Sequence, residues 1–449
     1  MHNDSNSGPR PSGKALFPLC VFFLLYVCAF CFTGDLSNMP VSVAFLAASA
    51  VAVISSKRRN MMQRINIFCR GSANNTILLM IVIFILAGAF SGTANQTGAV
   101  KATVDMLLYL LPEEIVLAGI FVAACFISIA MGTSCGTIAA LTPIAVGISA
   151  KTGLDLPMLA GAVVGGSMFG DNLSFISDTT IVATRTQNVE MKDKFRANFR
   201  LVMPVAVMVL LVYIVQGFTD PYRNEEAAAR IEWLKVLPYL VVLITALFGV
   251  NVITVLSTGI ALSGIIGLVT NSFSVWEWCS AMSEGIVVDM GELIIVSLLA
   301  GGMFEMIRTN GGISWLITKL TRNIHNRKQA EAAIAGLVSF TDLCTANNTI
   351  ALLITGPIAK QTGDPFKMDP KRTASLIDTV SCVIQSILPY GAQLLIAAGL
   401  ASVNPVEIIP YLYYPFLLGI AVIISILLPV KDRIPPTPSQ SRPSDRVCD

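Results

Sequence analysis

Carboxylate, amide and hydroxyl side chains crowd the run Gly170 to Thr180, GDNLSFISDTT, which interrupts otherwise apolar sequence. A helix in lipid must satisfy its backbone internally, so a polar, glycine-flanked break persists only beside protein or a water-filled cavity. Where the helix unwinds at Gly170-Asp171-Asn172-Leu173-Ser174, freed carbonyls join Asp, Asn, Ser and Thr side-chain oxygens. Such hard-oxygen sets suit Na⁺ and disfavour soft transition metals. A bare carboxylate at that depth is costly, so a proton and Na⁺ compete for the same oxygens. That competition is sufficient for exchange, because one carboxylate loses its proton when Na⁺ binds and loses Na⁺ when protonated.

The second half of the chain repeats the pattern. Asp378 and Ser381 repeat the spacing of Asp171 and Ser174; Thr349-Ile350-Ala351 matches Thr137-Ile138-Ala139, and Pro357-Ile358-Ala359 matches Pro143-Ile144-Ala145. Each half also has a polar tip between two apolar arms. Thr133, Ser134 and Thr137 offer neutral oxygens at the first, and Asn347, Asn348 and Thr349 at the second. The sequence thus puts Na⁺ on Asp171, Ser174, Asn348 and Asp378, with Asp171, Asp378 and Asp178 as the proton- and cation-coupling carboxylates.

Plainer roles compete at several positions. A Ser or Thr in a membrane helix mostly bonds its own backbone, and Gly165, Gly166 and Ser167 suit close helix packing. Glu305 stands three residues before Arg308 and in reach of it. Asp342 either caps an arm or binds an ion, and its sequence context favours neither. For Asp171 the ionic alternative is weak, since no basic residue lies between Lys151 and Arg185.

The elements that position these residues are membrane spans. The chain is 54% hydrophobic and 13% charged, with a mean hydropathy of +0.71, and apolar runs fill it from about residue 17 to 430, at roughly 20 residues per hydrocarbon core. Full spans are expected near 16–34, 38–55, 75–95, 157–184 and 201–218, then near 235–254, 255–271, 291–308, 373–400 and 410–430. The arms in 115–150 and 333–361 read as about 15 residues each, too short for comfortable spans, so each pair is expected to form a re-entrant hairpin. Stretches near 99–112 and 311–325 read as interfacial connectors.

Charge sets the orientation. Lys57, Arg58, Arg59, Arg64 and Arg70 form one basic segment, Arg185, Lys192, Lys194, Arg196 and Arg200 a second, and Arg308, Lys319, Arg322, Arg327 and Lys328 a third. These read as cytoplasmic loops of a multi-pass protein of the cell (inner) membrane, with both termini cytoplasmic. No Lys or Arg occurs between Lys235 and Arg308, where Glu277, Glu284 and Asp289 mark an outer face. Five crossings per half invert the second half relative to the first, an architecture recurrent among carriers. The expected organisation is an all-α polytopic protein with a tail over 1–14 and a first inverted repeat over 15–218 (broken helix about 157–184). A linker over 219–234, a second repeat over 235–430 (broken helix about 373–400) and a disordered tail over 431–449 complete it.

Several classes are excluded. The only histidines are His2 and His325, and Cys28-x-x-Cys31 has no second pair, so no metal cluster is expected. No GxxxxGK[ST] is present, which argues against an ATP-driven pump, and neither HExxH nor GxSxG marks an intramembrane enzyme. No cofactor and no nucleic-acid partner are expected; the partners are the lipid bilayer and small cations or a small organic substrate. A channel would need a continuous pore, for which the chain offers no separate signal.

The runs GTSCGT, PIAVGIS and GGSMFGDNLSFISDTT resemble the signature of NhaC-type Na⁺/H⁺ antiporters, within the ion-transporter superfamily of inverted-repeat carriers. The resemblance spans about residues 15 to 430. It implies cation/proton exchange by an elevator-like motion, a homodimer, and site roles for Asp171, Asn172, Ser174, Ser177, Asp178, Thr179 and Thr180. The family usually has proline directly after the first serine of the motif, where this chain has Phe175, a ring that could narrow the site or line a larger one. The family also includes carriers similar to malate/lactate exchangers and amino-acid transporters. A Na⁺- or H⁺-coupled carrier for a small organic anion or amino acid is therefore the alternative function.

Overall fold

The computed structural model describes residues 11–33, 39–56, 60–110, 112–175, 177–219, 232–322 and 324–428. The expected tail over 431–449 and most of the linker over 219–234 and of the tail over 1–14 lie outside them. No strand occurs among the described residues. The first half runs α1 (Phe17–Thr33), α2 (Val41–Ser55), α3 (Met61–Ser72), α4 (Asn75–Thr97), α5 (Ala99–Leu110), α6 (Val116–Met131), α7 (Ser134–Thr152), α8 (Leu156–Leu173), α9 (Asp178–Gln187) and α10 (Met191–Thr219). The second runs α11 (Trp233–Leu247), α12 (Val252–Val269), α13 (Val275–Glu284), α14 (Gly291–Thr309), α15 (Gly312–Thr321), α16 (Arg327–Thr345), α17 (Asn348–Gly363), α18 (Pro370–Ile387), α19 (Ala392–Ala401), the one-turn α20 (Pro405–Ile408) and α21 (Tyr413–Leu427).

Six described helical stretches are long and apolar enough to cross a membrane, or seven if the bent pair Pro405–Tyr411 and Tyr413–Leu427 is one span. The chain is a multi-pass membrane protein. Other apolar helices, such as Val41–Ser55 and Val116–Met131, are shorter, because glycine and polar residues cut the apolar runs. α6 ends at Gly132 in the left-handed region (φ 67°), a conformation that glycine adopts without a Cβ penalty.

The hairpin arms correct one premise of the sequence reading. α7 and α16 each have 19 residues, not about 15, so arm length does not by itself exclude a crossing. What distinguishes these arms is where their tips go, as described below.

Two bundles share the molecule. α1, α2, α3, α4, α11, α12, α13 and α14 pack chiefly on one another, while α6 to α10 and α16 to α21 form the other bundle. α5 and α15 lie between: α5 touches α4, α7 and α11, and α15 touches α14 and α16. The first bundle is pinned across the two halves. Ser42 Oγ donates to Glu292 (2.7 Å) and Ser72 Oγ to the Leu298 carbonyl (2.7 Å). Glu305 pairs with Arg308 (2.8 Å), as their spacing suggests, and also with Arg70 (3.0 Å).

In the second bundle α8 lies against α6 and α7. At Gly170, directly before the polar motif, an added Cβ would collide with Ser128 Cβ and Oγ on α6. The backbone of α6 cannot yield cheaply, so Gly170→Ala is expected to cost about 1–3 kcal/mol, read as a lower Tm of the purified protein in detergent. Gly170→Ala with an unchanged Tm would show that the α6–α8 contact is loose.

Candidate functional site

Both tips and both helix breaks converge inside the second bundle. Asp171 stands in the last turn of α8, 4% exposed, where its Oδ1 accepts the Ser134 N–H at 3.1 Å. Ser134 opens α7, so the carboxylate faces a helix N-terminus, where unpaired N–H groups and the dipole favour negative charge. The Ser134 hydroxyl in turn accepts from Gln393 Nε2 (3.0 Å), at the start of α19. Gln385 Nε2, near the end of α18, donates to Gln393 Oε1 (3.0 Å) and to the Ala346 carbonyl at the second tip (3.2 Å). One hydrogen-bonded chain thus runs from the first break through both tips to the second break.

Asp378 stands on α18 and is fully buried. Its Oδ2 meets Lys194 Nζ at 2.8 Å and accepts from Asn198 Nδ2 at 2.8 Å. The same ammonium donates to the Asn172 carbonyl (3.0 Å) and to Thr180 Oγ1 (2.6 Å). A carboxylate, a main-chain carbonyl at the break and a hydroxyl therefore surround a single positive charge. These are the ligand types expected around Na⁺, but the cation held here belongs to the protein.

Lys194 corrects the sequence reading, which placed it in a basic cytoplasmic loop. It lies in α10, 1% exposed, because α10 begins at Met191 rather than near residue 201. A signal was present: Lys194, Asn198, Val202, Val205, Val209 and Tyr213 recur at helical spacing, and all are buried. Lys194 and Asn198 continue the core-facing stripe of α10, which the sequence reading took as starting only beyond them.

The remaining candidates divide. Asn172 is buried, with Nδ2 donating to the Met168 carbonyl (3.0 Å) and Tyr414 OH (3.1 Å), while its Oδ1 has no partner among the described residues. Ser174 Oγ donates to the Ile129 carbonyl (3.0 Å) on α6, and Ser177 and Thr179 share a hydrogen bond (2.9 Å). Asp178 is exposed, in the first turn of α9. At the tips, Thr137 bonds the Thr133 carbonyl (3.1 Å) and Asn347 Oδ1 caps α17 through the Ile350 N–H (2.9 Å). Asn348 Oδ1 accepts from the Thr349 N–H (2.9 Å), and Ser381 bonds the Asp378 carbonyl (3.0 Å). The expected Na⁺ set is thus already committed in part: Asp378 to Lys194, Ser174 to α6, and Asn348 to its own helix. Asp378 and Asp178 lie within electrostatic range of Asp171.

Phe175 is 45% exposed and stacks on Phe195, with centroids 4.7 Å apart, and Phe195 stacks on Phe199. The ring takes its contacts from α10. Of two residues the sequence reading passed over, Gln393 bridges the halves through Ser134 and Gln385 ties it to the second tip; their signal was an amide inside an apolar run.

An all-helical membrane bundle, with polar breaks and a buried carboxylate at a junction of both halves, defines a membrane transporter of small solutes. The chain belongs to the Na⁺/H⁺ antiporter family, whose model matches residues 15–218 and 225–430. It is 26% identical to the Na⁺/H⁺ antiporter NhaC of Bacillus subtilis, over 78% of this chain and 83% of that one. It is 22% identical to the malate-2H⁺/Na⁺-lactate antiporter of Bacillus subtilis, over 86% of this chain and 89% of that one. It is also 22% identical to the arginine/ornithine antiporter ArcD of Halobacterium salinarum, over 94% of this chain and 93% of that one.

Proposed function

We propose that the protein exchanges Na⁺ for H⁺ across the membrane, with Asp171 as the carboxylate that binds the two in turn. The observation that carries this is the seat of Asp171: nearly enclosed, facing a helix N-terminus, and tied through Ser134 and Gln393 to the opposite half. The family supports the same ions. Lys194 neutralises Asp378 and occupies the oxygens around it, so of the two repeated carboxylates Asp171 is the one free to change its partner.

In this reading the two halves are inverted repeats and the hairpin tips enter the membrane from opposite sides. The second bundle moves as a body against the first, carrying Asp171 between the two faces. α5 and α15, which bridge the bundles, accommodate the displacement. Both termini are cytoplasmic.

The test uses purified protein in proteoliposomes with a pH dye, given Na⁺, Li⁺, K⁺ or choline. Wild type moves protons on adding Na⁺ and not choline. Asp171→Asn, which keeps the acceptor for the Ser134 N–H, loses the response while staying folded. A folded wild type indifferent to every cation would exclude the reading. Organic anions and amino acids would then be screened, since relatives carry malate, lactate, arginine and ornithine in their names.

A further inference from the structure

Asp342 stands in the last turn of α16, and its carboxyl is not a cap. Its main-chain carbonyl accepts the Ala346 N–H that closes the helix (2.8 Å). Its side chain is 0% exposed, and neither oxygen has a hydrogen-bond partner among the described residues. A buried carboxylate with neither donor nor counter-charge is heavily penalised. The carboxyl must therefore carry a proton or a bound cation.

The surroundings decide between the two. From α18, Cys382 lies within electrostatic range of Asp378, Asp171 and Lys194, and least strongly of Asp342. Tyr390, after α18, is also in range, and its OH donates to the Leu343 carbonyl (2.9 Å). Cys344 follows on α16 itself. The other elements packed on α16 have their ionisable groups engaged or placed elsewhere. On α14, Glu305 and Arg308 pair with each other; on α15, Lys319 is exposed. On α17, Lys360 stands in the last turn, and on α21 the hydroxyls of Tyr413 and Tyr414 accept from Gln216 and Asn172. Among the described residues Asp342 makes no ion pair and neither of its carboxyl oxygens accepts a hydrogen bond. A proton satisfies the carboxyl without further ligands, whereas a hard cation needs several more oxygens around it.

We propose that Asp342 is a second proton-binding carboxyl of the carrier, protonated in the enclosed state described here and giving up its proton, when the cycle opens it to water, in step with Na⁺ binding at Asp171. The inference rests on the exchange reading above and deepens it. Two protons, one on each carboxyl, then move against one Na⁺ at Asp171, so each cycle carries one net charge. Exchange by wild type responds to membrane potential, and exchange limited to Asp171 does not.

The experiment fixes the Na⁺ and proton gradients across proteoliposomes and varies the potential with K⁺ and valinomycin. For wild type, about 60 mV offsets a tenfold Na⁺ gradient, the equivalence for one charge. Asp342→Asn retains Na⁺-driven proton movement and loses this offset. A wild type indifferent to potential, or an Asp342→Asn variant as sensitive as wild type, overturns the proposal. If Asp342→Asn is folded but inactive, infrared difference spectra induced by Na⁺ or by pH decide. A protonated-carboxyl band present in wild type and Asp171→Asn but missing in Asp342→Asn supports the assignment; a band unchanged in Asp342→Asn overturns it. Failure of the exchange reading itself is separate, and shows as a wild type that moves no protons on adding Na⁺.

Discussion

Lys194→Met should be the most damaging single substitution in the second bundle, lowering stability by about 3–5 kcal/mol. The side chains of Lys194 and Asp378 are 1% and 0% exposed, 2.8 Å apart. Removing the ammonium leaves an uncompensated carboxylate and takes a donor from the Asn172 carbonyl and from Thr180. The Asn198 amide alone remains on Asp378 Oδ2. Neutralising both partners removes the orphaned charge. Lys194→Met combined with Asp378→Asn should recover most of the loss, since the introduced amide oxygen can still accept from Asn198. A double-mutant cycle on the midpoint of thermal unfolding in detergent gives the coupling directly. Additive losses in the double variant would mean that the pair does not hold the break together. The expected recovery also separates structure from transport, because the double variant tests whether exchange survives with Asp171 as the only carboxylate of the two.

The second large effect is on apparent Na⁺ affinity. If a proton and Na⁺ compete for Asp171, lowering the pH protonates the carboxyl and displaces Na⁺. In the range where the free site is protonated, each coupled carboxyl weakens the apparent affinity about tenfold per pH unit, by mass action. The sign is fixed: acid weakens Na⁺ binding, and Na⁺ protects the fold against heat more strongly at alkaline pH. The slope counts the protons released per Na⁺, so it should exceed tenfold in wild type and fall to tenfold in Asp342→Asn. Asp171→Asn should bind no Na⁺ in the same assay, read as loss of Na⁺-dependent thermal protection. A wild-type affinity flat with pH across the working range would remove competition as the basis of coupling.

The position of Asp171 at a buried helix break was legible because its context is local. A carboxylate beside glycine in an apolar run, far from any basic residue in sequence, marks a break that lipid does not tolerate without a purpose. Lys194 was not legible by the same means, since it stands in a run of charges, Lys192 to Arg196, that the positive-inside rule assigns to a loop. Its burial follows from the register of α10, and helical periodicity extended back from Val202 would have found it. Asp342 was ambiguous, because a helix-terminal carboxylate reads as a cap until the hydrogen bonds are seen. Asn347, by contrast, does cap its helix, although the sequence offered it as an ion ligand.

Helical membrane character, the positions of the polar breaks and the recurrence of short motifs in the two halves could all be read from the residues alone. Those properties depend on hydropathy and on backbone satisfaction in lipid, which short stretches of chain carry. Which cation each carboxylate meets could be read only from the folded chain. The pairs that settle it are distant in sequence: Asp378 with Lys194, Asp378 with Asn198 (180 positions apart), and Ser134 with Gln393 (259 positions apart). A buried charge is governed by the few atoms within about 4 Å of it, and that neighbourhood is assembled by packing rather than by sequence proximity.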